Sequence, residues 1–437
     1  MGFRRTVPTF FALLPIIAVS VALAQQPARR VGKIEVQGNE RLTAEEVIAT
    51  SGLKAGAAFS VADLDAAGQR LVDSGLFTKV AYRTTSKGNL VTVILQVKEG
   101  RGGQSIVVFD NFVWFTNDEL VAAIKREVPA FAGSAPDAGR MTDDIKRALE
   151  NLLKERHING TVEYGAEQTG LNSATQEHVF SVVGVPIPIC SLHFPGAADL
   201  MEAQLVVSSR QLTEDNYSLK TANAFTTFVL LPIYHKAGQL RAKFAKPITK
   251  LDPSPKCNGG IELTIPVEEG PIYLWEKAEW TGNEAVPVSD LNGALGMKNG
   301  DVANTVKIDK GLFEVKRRYG HTGHLDVRLD AEQQLDDTNN RLSYKIAVKE
   351  GPQYKMGTLT IKGLDEESAN SLKERWKLRN GEVYDTSYAD RFFRTDSGEA
   401  MQKIMLARQA QRKPPPELKI ARNQLNLNAD VTIEFKN

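Results

Sequence analysis

The stretch KEGPQYKMGTLTIKG, residues 349–363, closes one alternating apolar segment and opens the next within a few residues; EEGPIYLWEKAEWTG, residues 268–282, does the same upstream. A junction that recurs implies a unit that recurs, and a fixed period of this kind marks an array. Aligned on their turn glycines, KIEVQGNERL from Lys33, KAEWTGNEAV from Lys277 and TLTIKGLDEE from Thr358 share one register, through Gly38, Gly282 and Gly363. Gly56, Gly300 and Gly381 keep the same intervals. The strand-closing glycines Gly100, Gly270 and Gly351 leave room for two slightly longer units between the first and the fourth, which makes five.

The first unit is the clearest. Ile34 and Val36 alternate before a Gly-Asn turn, so a short strand is expected. Thr43 and Glu46 form a capping-box pattern that opens a helix with Val47 and Ile48 on its apolar side, and Gly52 and Gly56 end it. Ser60 and Asp63 begin a second helix, whose Leu64, Ala67 and Leu71 share a face. KVAYRT and NLVTVILQV supply two further strands, so the order is β-α-α-β-β. The fourth unit ends on Leu342, Tyr344, Ile346 and Val348, the fifth on Val431, Ile433 and Phe435, each set on one strand face. The second unit carries a long loop, FAGSAPDAGRM, between its helices, and a Phe109, Phe112, Trp114 and Phe115 cluster that reads as core, with a binding surface as the alternative.

Composition narrows the function. Lys and Arg number 54 against 53 for Asp and Glu, so no excess positive charge draws the chain to nucleic acid. Arg4 and Arg5, an apolar run from about Phe10 and Ala22-Leu23-Ala24 have the build of a secretory signal peptide over residues 1–24, with a membrane anchor as the alternative. No later stretch approaches the roughly 20 apolar residues of a spanning helix, and residues 225–234, FTTFVLLPIY, read as a buried helix. No nucleophile, zinc or phosphate motif is present, so no catalytic residue, cofactor or metal is expected. His321 and His324 lack a third ligand. Asp143-Asp144 and Asp336-Asp337 read as a helix start and a solvated turn.

LVDSGLFTKVAYRTT from Leu71, with its Gly75-x-Phe77 step before a short strand, and VKEGPQYKMGTLTIKG from Val348 resemble the polypeptide-transport-associated (POTRA) domains of the BamA-like outer-membrane β-barrel assembly family. His324, where that family often has an aromatic residue, is a departure. The resemblance implies an α+β fold: tandem β-α-α-β-β (POTRA-like) repeats, each a three-stranded mixed sheet with two helices on one face, in an elongated array. The expected divisions are residues 31–100, 101–186, 187–270, 271–351 and 352–437. The family's membrane barrel has no counterpart in these segments, so either the protein works without its own barrel or the sequence is a fragment; the resemblance implies a periplasmic scaffold near the outer membrane. It would bind unfolded outer-membrane proteins, a separate barrel subunit or periplasmic chaperones; a structural module of a division or secretion complex is the alternative.

In the resembled fold the first and last strands are parallel neighbours, which brings Cys190 and Cys257 to one end of a sheet and implies a disulfide in an oxidising compartment. The closing hairpin puts the second strand of each unit at an edge, open to strand addition. The candidate edges are residues 79–84, 161–166, 241–246, 325–330 and 418–422, with Val80, Tyr82, Val162, Tyr164, Ala242, Phe244, Leu325, Val327, Leu418 and Ile420 as partner-binding positions.

Overall fold

The computed structural model describes residues 28–100, 103–168 and 176–436, and the expected signal peptide lies outside them. The chain divides into two compact bodies, Met1–Pro186 and Ile187–Asn437.

In the first body, β1 (Arg30–Gln37), β2 (Phe77–Lys87) and β3 (Leu90–Glu99) form sheet I in the order β1-β3-β2, with β1 parallel and β2 antiparallel to β3. Local chemistry sets the intervening helices. Thr43 and Glu46 close a reciprocal capping box on Ala44–Ser51, and the left-handed Gly52 ends that helix. Ser60 accepts from the Asp63 N–H to start Val61–Asp73, which buries Leu64, Ala67 and Leu71 against Val91, Val93 and Leu95 of β3. Alternation along β3 therefore separates a buried face from a half-exposed one, as its period of two requires.

Sheet II has an extra strand. β4 (Gln104–Phe109), β5 (Ser134–Pro136), β6 (Thr161–Gln168) and β7 (Gln176–Val183) run in the order β5-β4-β7-β6. The long loop expected between the helices Asn117–Glu127 and Met141–Glu155 thus contains a strand that pairs with β4. Phe112 is buried, and Phe109, Trp114 and Phe115 pack against the same continuous core that lies under sheet I. The aromatic cluster is core. The turn before β2 and the loop after β5 also meet backbone to backbone: a Cβ on Gly75 would lie 2.0 Å from the Ala138 carbonyl oxygen, and one on Gly139 would lie 2.9 Å from the Gly75 Cα.

The second body carries three sheets. β8 (Ile189–His193), β9 (Lys243–Phe244), β10 (Ile248–Leu251), β11 (Ile261–Thr264) and β12 (Val267–Glu268) build sheet III, ordered β10-β11-β8, with a short β12-β9 extension. The apolar segment at 225–234 is helical, and Leu230 and Tyr234 are buried, but Phe228 is 72% exposed, so the segment is buried on one side only. β13 (Leu274–Thr281), β14 (Arg328–Asp336) and β15 (Arg341–Lys349) make sheet IV in the order β13-β15-β14, beside the helices Val288–Leu295 and Thr305–His321. β16 (Lys355–Lys362), β17 (Glu417–Asn423) and β18 (Asn428–Glu434) repeat it as sheet V, β16-β18-β17. Among the described residues, no helix is long and apolar enough to cross a membrane.

Candidate functional site

Each three-stranded sheet has two edges, and they are not equivalent. The outer edge of the first strand is covered: isolated bridges join Arg30 to Ala58, Pro188 to Asn216, Leu274 to Val302 and Lys355 to Val383, and β5 does the same for β4. Gly56, Gly300 and Gly381 hold these covering loops. Each has a positive φ and donates its N–H to a first-strand carbonyl: Val31 at 2.7 Å, Trp275 at 2.9 Å and Met356 at 2.8 Å. The opposite edge, formed by β2, β6, β10, β14 and β17, ends its sheet.

Alternation decides which residues point their backbone outward, because successive N–H and C=O groups of a strand face opposite sides. In sheet I the Asn89 carbonyl accepts from Arg30, on the β1 side, so Leu90, Thr92, Ile94 and Gln96 face β2. Their partners Lys87, Thr85, Arg83 and Ala81 face inward, leaving Val80, Tyr82 and Thr84 outward. The Asp110 N–H on the Phe180 carbonyl gives Val162, Tyr164 and Ala166 as the outward set of β6. By the same step the Leu274 to Asn340 bond makes Leu329, Ala331, Gln333 and Leu335 outward on β14. The Lys355 to Leu427 bond makes Leu418, Ile420 and Arg422 outward on β17.

Six of the ten candidate positions therefore lie on a free edge with outward backbone: Val80, Tyr82, Val162, Tyr164, Leu418 and Ile420. The other four need correction. Ala242 is buried ahead of β9, and Phe244 pairs with Val267, while the longer edge of sheet III is β10, beyond a break at Pro247 that no ladder N–H can fill. Leu325 and Val327 precede β14; Leu325 packs on the core of sheet V and Val327 on that of sheet IV. Edges carry charge on their remaining side chains, Lys79 and Arg83 on β2, Glu163 on β6 and Asp330 and Glu332 on β14, which guards against self-pairing.

Other candidates resolve as structure. Cys190 and Cys257 form a disulfide with their Cα atoms 5.7 Å apart. Asp252 lies close to both sulfurs, but bonded sulfurs offer no thiolate to a metal. His324 is buried edge-on against Tyr319, so it occupies the aromatic place at that turn. A cleft of about 400 Å³ in the first body is lined by charged groups engaged with one another, Arg147 with Glu127 at 2.9 Å and Asp144 at 2.6 Å. Asp143 and Asp144 sit in a helix first turn as expected; Asp337 does more than solvate a turn, since it binds Arg241 and Tyr273.

Parts of the chain are similar to known proteins. The chain matches the POTRA family, described as surface antigen variable number repeat, over residues 29–100 and 273–351. It is 25% identical over 127 residues to a putative outer membrane protein assembly factor of Treponema pallidum (strain Nichols), a match covering 29% of this chain and 15% of the relative. It is 22% identical over 163 residues to outer membrane protein assembly factor BamA of Neisseria meningitidis serogroup B (strain ATCC BAA-335 / MC58), covering 35% of this chain and 20% of the relative. Both matches thus span a small part of the relatives' length. Among solved structures, POTRA3-5 of Haemophilus influenzae BamA aligns with 19% identity and a TM-score of 0.41, over 57% of this chain and 96% of that one. POTRA domains are non-enzymatic scaffolds. Residues 29–100 and 273–351 carry the POTRA family match, and sheets III and V repeat the strand order of sheets I and IV.

Proposed function

We propose that the chain is a periplasmic scaffold in outer-membrane protein assembly that takes up extended polypeptide segments at its free sheet edges. The five units are proposed to meet near residues 100, 186, 270 and 351. The observation that carries the reading is the asymmetry of the edges: a covering loop or strand closes one side of every sheet, and the other ends in outward N–H and C=O groups. Backbone pairing is indifferent to client sequence, which suits a binder of many barrel strands or of a separate barrel subunit, and of chaperones that deliver them. The names of the relatives support the same assignment.

Proline at an outward position removes one donor without touching the ladder inside the sheet. Thr84→Pro and Ala331→Pro are both at exposed sites. Each is expected to weaken binding of a synthetic barrel-strand peptide by about fivefold, the worth of one hydrogen bond of about 1 kcal/mol, with far-UV circular dichroism unchanged. If both variants fold and bind as the parent does, strand addition at these edges is wrong. Photo-crosslinking from position 331 in intact envelopes separates the partner classes, since capture of division or secretion components in place of barrel precursors would move the chain to another complex.

A further inference from the structure

Two joints inside the body Ile187–Asn437 are built on one plan. Gly238, with φ of 82°, accepts from the Tyr273 N–H at 2.8 Å; Gly323, with φ of 83°, accepts from the Tyr354 N–H at 2.8 Å. A Cβ on Gly270 would stand 3.2 Å from Arg241 Cβ, and one on Gly351 would stand 3.3 Å from Asp326 Cβ. Tyr273 and Tyr354 are buried, and each hydroxyl donates to an aspartate, Asp337 in the first joint and Asp326 in the second. An arginine completes each triad. Arg241 donates to Asp337 through Nε at 3.1 Å and Nη2 at 2.8 Å, and Arg422 donates to Asp326 through Nη1.

The polarity of the two triads is opposite. In the first, the arginine stands before the junction and the aspartate near the tip of the next hairpin, just after β14; in the second, the aspartate stands before the junction and the arginine in the next hairpin, on β17. We propose that the two joints are keyed by charge, each accepting the hairpin of its own successor and repelling the hairpin that belongs to the other. Asp337 brought to the second joint would face Asp326, and Arg422 brought to the first would face Arg241. Repeats with one topology can dock in the wrong order or across copies, and a like-charge contact at the wrong partner is the usual way to forbid it. Stability is not the reason for the first pair, whose side chains are 49% and 59% exposed, because exposed ion pairs add little to folding. The tyrosine hydroxyl suits an aspartate on either side, so the triad survives reversal while its specificity inverts.

The test uses the full oxidised chain with spin labels at Gln204→Cys and Glu332→Cys, both exposed positions on opposite sides of the first joint. Pulsed dipolar spectroscopy should give a narrow distance distribution for the parent. Arg241→Ala is expected to broaden it modestly, and Arg241→Asp or Asp337→Arg, which create the mismatched contact, to at least double its width. Arg241→Asp combined with Asp337→Arg recreates the polarity of the second joint and should restore the narrow distribution. Circular dichroism on each variant verifies that the sheets are intact. If reversal broadens the distribution no more than alanine does, or if the double reversal fails to restore it, the joints are not keyed by charge.

Discussion

Glu99 explains why an acidic residue recurs before the closing glycine of a unit. Its carboxylate is 6% exposed and accepts the N–H groups of Glu40, Arg41 and Leu42 at 2.8 to 3.0 Å, with Arg41 Nε at 3.0 Å. Glu269 and Glu350 stand in the same place, accepting from the Ala198 and Ala285 N–H groups at 2.9 and 2.8 Å. Burial alone would raise the Glu99 pKa, but the three backbone donors and the guanidinium outweigh it and hold the group below its ordinary value. A depressed carboxylate contributes stability that is present above the unfolded value of about 4.3 and lost as pH falls through the folded one. Glu99→Ala should cost about 2 kcal/mol at pH 7 by leaving buried donors unpaired, read as a shift in urea midpoint. Glu99→Gln should also flatten the loss of stability below about pH 4.3; an unaltered acid limb would assign that loss to other carboxylates.

At the scale of elements, close approach decides where glycine stands. Gly38, Gly196, Gly282 and Gly363 all follow the first strand of a unit with positive φ, and a Cβ on each would lie within 2.4 Å of a carbonyl oxygen at the end of the last strand. Gly196 is the third unit's member of this set, hidden in the sequence because HFPGAADL lacks the flanking pattern of the others. Gly311 is the helical counterpart: a Cβ there would meet the Leu295 carbonyl oxygen at 2.1 Å, where the helices Val288–Leu295 and Thr305–His321 cross. Alanine would gain up to about 1 kcal/mol in helix propensity, yet backbone overpacking costs about 1–3 kcal/mol, so Gly311→Ala should lower stability. A rise in the thermal midpoint of the second body would show that the helices can slide apart at no cost. Pro232 illustrates accommodation instead. A π turn over Thr226–Leu230, with the Leu231 N–H reaching the Thr226 carbonyl, lets the helix continue past a residue that has no N–H to give.

At the scale of the whole molecule, the two bodies differ in how their parts cohere. Sheets I and II share one apolar core, so the described residues of the first body should unfold in a single transition. The cores of sheets IV and V are separate clusters. The disulfide lies entirely within the second body and closes a separation of 67 residues, which in the chain-entropy picture is worth about 4 kcal/mol. Reduction should therefore lower the unfolding midpoint of the elements around sheet III, within Ile187–Asn437, and leave that of the first body unchanged, as followed by hydrogen exchange on the full chain. Equal loss of protection in both bodies would show that they unfold as one.

Some of this was determined by the sequence alone. Thr43 and Ser60 act on neighbours three residues away and the positive-φ glycines recur at fixed spacing, so helix starts and turns are legible in a single strand of text, as is the burial of Val431, Ile433 and Phe435 by alternation. The cysteine pairing was legible too, once the parallel neighbours of the sheet were supplied by resemblance. What only the tertiary structure decided concerns partners distant along the chain. The strand β5 consists of three residues, Ser-Ala-Pro, with no alternation to announce it, and it exists because β4 needs a neighbour. Leu325 and Val327 alternate like a strand, yet they are used to pack a junction, so the edge begins only at Arg328. Asp337 looks like a solvated turn residue until folding brings Arg241 to it across 96 residues. Periodicity reports which face of an element is buried; it carries no information about which edge is left free or which charge meets which, because those depend on the backbone hydrogen bonds and contacts made after the elements have assembled.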